Sequence, residues 1–154
     1  MTQLLTITTD EQYAAAAQLF QEYATWLGID LCFQGFEEEV RTLKKMYGPP
    51  NGGIVLCEID GKYIGCVGIR KIDKSTAELK RMYVQPHQQQ KGIGTAMLEK
   101  AFQLARDCGY QKIKLDTLNT MKPAMDIYLK NGFKEIPAYY HNPIETAVYF
   151  EKIL

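Results

Sequence analysis

Apolar residues recur along this chain at two periods, and each change of period marks an element. Residues 4–8 alternate as a short strand does. Thr9, Asp10 and Glu11 then supply a helix cap and an acidic first turn. Ala16, Leu19, Phe20, Tyr23 and Leu27 follow on one face at helical spacing, and Gly28 ends the run. Trp26 shares that helical spacing and is expected in the core. A second helix is predicted over residues 37–47, with glutamates early and Lys44 and Lys45 late, in the sense the helix dipole favours. The Gly and Pro cluster at 48–53 breaks it.

Period two then takes over. Residues 54–59 and 63–69 read as strands joined by Asp60-Gly61, a strong hairpin signal. A third strand is predicted over 76–84, closed by Pro86, which has no N–H to give a ladder. These three adjacent strands form an antiparallel meander. From Gly92 to Cys108 the period returns to helical, with Ile93, Met97, Ala101, Leu104 and Ala105 on one face. A strand at 112–117, a helix at 122–130 stopped by Asn131-Gly132, and strands at 133–136 and 146–152 complete the chain. The order predicts an α/β fold with a mixed sheet.

Composition narrows the class. The 154 residues suit a single domain spanning 1–154. A chain of this length buries roughly 70% of the surface its unfolded form exposes, so neither disulfide nor metal is needed for folding. Lys plus Arg number 18 and Asp plus Glu number 18, a balance that argues against a nucleic-acid partner. The start of the chain has no basic-then-apolar leader, and no run nears the ~18 apolar residues of a membrane span. A cytoplasmic chain with no membrane partner is expected. Cys32, Cys57, Cys66 and Cys108 form no C-x-x-C pair, and the two histidines, His87 and His141, add no zinc spacing, so no metal is expected. Cys57 and Cys66 lie in apolar strand runs and are expected as buried thiols.

The chemistry is concentrated in residues 78–95, a strand that runs into a glycine-bearing loop and the start of a helix. A helix N-terminus presents about four backbone N–H groups without intrahelical partners, and with the dipole they make an anion site. Gly92 and Gly94 let a phosphate approach the backbone, and Lys91 adds a positive charge. A dinucleotide loop would need a third glycine after a parallel strand, and a Walker loop would need G-x-x-x-x-G-K. Neither is present.

Gln89-x-x-Gly92-x-Gly94 resembles the Q/R-x-x-G-x-G/A signature of the GNAT (Gcn5-related N-acetyltransferase) superfamily. The preceding Leu79-Lys80-Arg81-Met82-Tyr83-Val84-x-Pro86 is similar to that family's fourth strand, and Ala124-x-x-x-Tyr128-x-x-x-Gly132-Phe133 to its later helix-to-strand segment. The resemblance implies a mixed, mostly antiparallel sheet of six to seven strands flanked by about four helices and splayed between strands four and five. It implies acetyl-CoA as co-substrate. The backbone of Met82, Tyr83 and Val84 would pair with pantetheine, and Gln89, Gln90, Lys91, Gly92, Ile93, Gly94 and Thr95 would take the pyrophosphate. Asp116 to Asn119 would form the other wall of the splay. The family's pantetheine-contacting asparagine is replaced here by Met121, and Asn119 is the nearby substitute.

Two residues complete the implied reaction. Tyr128 corresponds to a tyrosine the family keeps near the CoA sulfur, and a phenol of pKa near 10 can protonate a thiolate whose ordinary pKa is about 8.5. An acceptor amine of pKa near 10.4 is neutral in only about one molecule in a few thousand at pH 7, so a base is needed. Glu78, on the strand leading to the site, is the candidate; by period two it shares a face with Lys80 and Met82 unless a bulge intervenes. The resemblance places the acceptor beside the first helices and the final hairpin, which here means Phe33, Gln34 and Phe36 on one side and Tyr140 and Asn142 on the other. The expected acceptor is a small-molecule or peptide amine, and the chain a monomer or homodimer. His141 is expected at the surface.

The expected function is acetyl transfer from acetyl-CoA to a primary amine in a ternary complex. A ping-pong route through a cysteine, first of all Cys66, stays open at this stage. So do a non-catalytic acyl-CoA binding module and a nucleotide binder using the same loop.

Overall fold

A computed structural model describes residues 1–31, 35–89 and 91–154. The site candidates Phe33, Gln34 and Gln90 lie outside the described residues, as does Cys32. The strands are β1 (Thr2–Thr6), β2 (Gly53–Ile59), β3 (Lys62–Lys71), β4 (Thr76–Val84), β5 (Lys112–Leu118), β6 (Lys134–Ile136) and β7 (Ala147–Ile153). The helices are α1 (Asp10–Leu27), α2 (Phe36–Arg41), α3 (Leu43–Tyr47), α4 (Ile93–Asp107) and α5 (Lys122–Lys130), with a 3-10 turn at Pro86–Gln88.

One sheet runs in the order β1-β2-β3-β4-β5-β7-β6. Every pair is antiparallel except β4 with β5. The Asp60-Gly61 turn takes φ of 50° and 80°, the left-handed pair a two-residue hairpin needs. Alternate residues face opposite layers. Val55, Val67, Ile69, Ala77 and Leu79 pack against α4 and Tyr128 of α5. Ile54, Leu56, Cys66 and Tyr83 pack against α1 and α3.

Three elements depart from the sequence pattern, each for a local reason. Strand β1 ends at Thr6 because the capping box of α1 recruits the next residues: Thr8 and Thr9 donate their N–H groups to Gln12 Oε1, and Gln12 N–H returns to Thr9 Oγ1. The helix expected at 37–47 is two helices, parted at Thr42 with φ −126°. The Thr42 hydroxyl donates to the Glu38 carbonyl at 2.7 Å, a side-chain bond that competes with the helical ladder. Trp26 is not a core residue; it is 41% exposed, its ring 5.7 Å from that of Tyr83.

The feature that positions the site is in β4. Between the pairs Cys66↔Tyr83 and Gly68↔Lys80, β3 supplies one residue and β4 two. Arg81 is the extra one, with φ of 58°. The bulge shifts the parity of the strand, so Met82 faces the α4 layer with Leu79 and parts company with Glu78 and Lys80. It also bends β4. Pairing with β5 covers only Thr76, Ala77 and Glu78, and past Glu78 the two strands separate. The splay expected between strands four and five is therefore present.

Candidate active site

Three cavities follow β4 from end to end. At its C-terminal end lies a cleft of about 350 Å³ between the separated strands, lined by Met82, Tyr83, Val84, Gln89, Ile93 and Gly94, with Tyr128 and Trp26 among its other walls. At its N-terminal end lies an open cavity of about 540 Å³ that includes Glu78, Lys80, Tyr139 and Tyr140. Beside the middle of β4 is a separate small cavity of about 30 Å³, lined by Tyr23, Lys80, Arg81 and Asp116 among others.

The cleft is mostly backbone and apolar surface. Gly92 sits at φ 79° as N-cap of α4, and no side chain caps that helix. Its first N–H groups are thus left for a ligand. Gly94 packs closely: a Cβ there would lie 3.2 Å from Met82 Cε and 3.3 Å from Ile127 Cδ1, so both side-chain ends would have to give by a few tenths of an ångström. The Gln89 amide donates to the Val84 carbonyl at 2.8 Å, which ties the loop to the end of β4. Lys91 donates to Gln88 Oε1 at 3.0 Å and is exposed with Thr95 on the outer side of the loop. Asn119 is exposed beyond β5, and its successors Thr120 and Met121 line the cleft instead.

Tyr128 is buried, its ring 5.6 Å from Phe133 and 6.3 Å from Phe150. Burial pushes its phenol pKa well above the usual value, and the charges of Tyr23 and Asp116 add to the rise. The hydroxyl therefore stays protonated and able to donate.

Glu78 is buried at the last β4–β5 pair. Arg70 Nε donates to one of its oxygens at 2.8 Å, and the Tyr139 hydroxyl to the other at 2.6 Å. Burial alone would raise its pKa; the charges of Lys80 and Arg70, with these hydrogen bonds, outweigh burial and hold the carboxyl below the ordinary glutamate value. A parallel link joins Asn142 to the Tyr140 hydroxyl at 3.0 Å and that hydroxyl to Asp116 at 2.8 Å. Tyr139, Tyr140 and Tyr149 stack edge-on, with centroids 5.3 to 5.8 Å apart.

Phe36 lies elsewhere. It packs under the Arg81 guanidinium, 5.2 Å from ring centroid to carbon. Arg81 forms a bidentate ion pair with Glu39 at 2.8 and 2.9 Å, and the Tyr47 hydroxyl donates to Glu39 at 2.8 Å. Arg81, Glu39 and Tyr47 are buried, and Phe36 is partly so. Sequence reasoning missed this pair and the exposure of Trp26. The available signal was three charges, Glu78, Lys80 and Arg81, inside an apolar strand: a buried charge requires a partner.

Cys66 is fully buried, and its thiol donates to the Arg81 carbonyl at 3.3 Å. Burial pushes its pKa far up, so it is a poor nucleophile. Cys57 is buried as well. His141 is exposed. Among the described residues no cluster of His, Cys, Asp and Glu is gathered as a metal site, and no helix is long and apolar enough to cross a membrane.

The profile of the acetyltransferase (GNAT) family matches residues 9–133. The chain belongs to that family. An uncharacterised N-acetyltransferase of Schizosaccharomyces pombe is 36% identical over 133 residues, covering 85% of this chain and 82% of the relative. An acetyltransferase of Streptococcus agalactiae shares the fold with a TM-score of 0.81 at 20% identity, over 99% of this chain and 98% of its own. A GNAT family acetyltransferase of Elizabethkingia anophelis, solved with acetyl-CoA bound, does so with a TM-score of 0.64 at 19% identity, over 99% and 98%. As a member of the GNAT family this chain is an N-acetyltransferase, and the splayed β4–β5 cleft with its glycine loop is the part of the family fold that the sequence motif marked.

Proposed function

We propose that this enzyme transfers an acetyl group from acetyl-CoA to a primary amine by direct attack in a ternary complex. The carrying observation is the cleft itself: an uncapped helix N-terminus with Gly92 and Gly94, beside a β4 that has left its partner strand, with a buried, protonated phenol across the gap. These residues fit CoA. The N–H groups at the start of α4 would take the pyrophosphate, with Gln89, Lys91, Ile93 and Thr95 shaping the loop around it. The backbone of Met82, Tyr83 and Val84 would pair with pantetheine. Asn119, exposed past β5, would at most reach a distal part of the ligand.

Acetyl-CoA supplies an activated acyl carbon and a thiolate leaving group. A backbone N–H near Val84 polarises the thioester carbonyl, where oxyanion charge develops. Tyr128 donates a hydrogen bond to the departing sulfur and stabilises its developing negative charge. Glu78 is the proposed base. Its low pKa keeps it ionised but makes it a weak base, so the neutral fraction of the amine attacks and Glu78 accepts the proton that the nitrogen sheds once it has bonded to the acyl carbon and become strongly acidic. Tyr140, backed by Asn142, hydrogen-bonds Asp116 of β5 and would lie on the acceptor's side of the gap. The high pKa of Cys66 favours this direct route over an acetyl-cysteine.

The test is to incubate the enzyme with acetyl-CoA alone and then with a panel of amines. CoA thiol is expected only when an amine is present, matched by N-acetyl product, and intact-mass measurement is expected to show no acetylated enzyme. Stoichiometric acetylation of Cys66 without an acceptor would overturn the direct route. Tight acetyl-CoA binding with no product from any amine would overturn catalysis.

A further inference from the structure

Trp26 is the only tryptophan in the chain. Its ring leans on Tyr83 at 5.7 Å and Tyr23 at 6.4 Å, yet 41% of the residue stays exposed. Among the described residues, Met1, Ile72, Leu129 and Ile153 are the other large apolar side chains exposed to a similar or greater degree, and none of them lines the cleft at the C-terminal end of β4. An exposed indole on a cleft wall is apolar surface that a ligand can cover.

The place of the indole follows from where α1 ends. Tyr23 and Leu27, near the end of that helix, line the small cavity beside the middle of β4, together with Arg81 of β4 and Leu118 of β5. The end of α1 therefore spans the opening between the two strands. Trp26, between them in sequence, lines the cleft itself. The other cleft walls among the described residues come from β4, α4, α5 and the loops leading into those helices. Met82 and Tyr128 pack in the α4 layer, whereas Tyr83, on which the indole rests, packs in the α1 layer. The cleft thus has a wall in each layer, and Trp26 with Tyr83 forms the one on the α1 side.

We propose that Trp26 is a donor-binding residue: its indole covers the pantetheine–thioester arm of acetyl-CoA from the α1 side, where β4 and β5 have parted. The nucleotide end belongs to the α4 loop and does not touch it. This rests on the reading of the cleft as the acetyl-CoA site, and it adds a contact from a helix that carries no cofactor motif.

Trp26 is its own probe, since no other tryptophan contributes to the emission. Calorimetry on the wild-type enzyme comes first: no binding of acetyl-CoA there would overturn the reading of the cleft, and the proposal with it. Where acetyl-CoA binds, it is expected to shift Trp26 emission to the blue with the same Kd, as the indole leaves water. Saturating 3′-phospho-ADP, the donor without its pantetheine arm, is expected to leave the emission unchanged. Binding by calorimetry with unmoved emission, or an equal shift with 3′-phospho-ADP, would overturn the proposal. Trp26→Ala should weaken acetyl-CoA about tenfold, the size expected when roughly 55 Å² of apolar contact is lost, and leave 3′-phospho-ADP unaffected. Trp26→Phe, which keeps an aromatic face, should recover most of that loss. An alanine variant that binds acetyl-CoA like the wild type, or that weakens both ligands equally, would overturn the assignment. Should the alanine variant fail to fold, the wild-type emission decides alone.

Discussion

The two ends of β4 are built from different materials. At the C-terminal end the cleft is made mainly of the end of β4, the glycine loop and the start of α4, closed by Trp26 and by apolar residues of α5. At the N-terminal end the cavity is made of charged and phenolic side chains brought from α3, β3, β4 and the segment before β7. A ligand shared by a whole family can be held by backbone geometry, which tolerates much sequence change. A ligand particular to one enzyme has to be recognised by side chains. The bulge at Arg81 is the divider, since it changes which residues of the strand face each layer on its two sides.

Removing that divider should have the largest effect. Arg81 adopts a left-handed backbone conformation that costs a residue with a side chain roughly 1–2 kcal/mol, and its buried pair with Glu39 is what holds it there. Arg81→Met leaves Glu39 buried and uncompensated, so a loss of about 3–5 kcal/mol in chemical denaturation is expected. Glu39→Leu combined with Arg81→Met should recover much of it, because no lone charge remains. A single variant that loses less than about 1 kcal/mol would mean the bulge is held by something other than the ion pair.

Tyr128→Phe probes the donor end. The phenylalanine keeps the packing against Phe133 and Phe150 and removes only the hydroxyl. We expect kcat to fall about 100-fold with acetyl-CoA affinity little changed, the pattern of an interaction used in the transition state. A normal kcat would leave Tyr128 as packing alone.

Gly92 separates charge from conformation at the same end. Asp and Asn impose nearly the same strain at φ 79°, and both tolerate the left-handed region better than other residues. Only Asp places a negative charge at the helix N-terminus proposed to take the pyrophosphate. Gly92→Asp should weaken CoA binding about tenfold more than Gly92→Asn, by calorimetry. Equal losses would mean that conformation, not anion binding, is what Gly92 provides.

The contrast also explains what could be read from the sequence. The capping box at Thr9, the Asp60-Gly61 turn and the amphipathic face of α4 are local patterns, and they appear as expected, with β1 ending early where the cap takes over. The glycine loop was legible for the same reason. The bulge was not, because it depends on Glu39 lying 42 residues away in another element. That pair also reassigned Phe36 from an acceptor contact to the ring beneath Arg81. Trp26 misled because helical spacing says which face a residue occupies but not where the layer beneath it ends. The cavity at the N-terminal end of β4 needed three dimensions, since Lys45, Arg70 and Lys80 share no sequence pattern.

The smallest expected effect concerns Glu78, which stands where the two ends meet. Its pKa is depressed in the folded protein by Lys80, Arg70 and the Tyr139 hydroxyl, against the opposing influence of burial. A depressed carboxylate contributes stability that is present above its unfolded pKa, near 4.3, and is lost as pH falls through the lower folded value. Glu39 behaves in the same sense, so melting temperature in the wild-type enzyme should fall below about pH 4.5. Glu78→Gln removes one of the two contributions, and its melting temperature should fall less steeply over that window, while at pH 7 it leaves Arg70 and Lys80 without their neighbouring carboxylate. The same variant reads the proposed base: kcat should fall across the neutral range, since the acylated nitrogen has lost its proton acceptor. A variant with the acid slope flattened but kcat unchanged at pH 7 would make Glu78 a residue that positions Tyr139 and Arg70, and the proton would have to leave by another group, of which the nearby Asp116, held by Tyr140, is the one already in place.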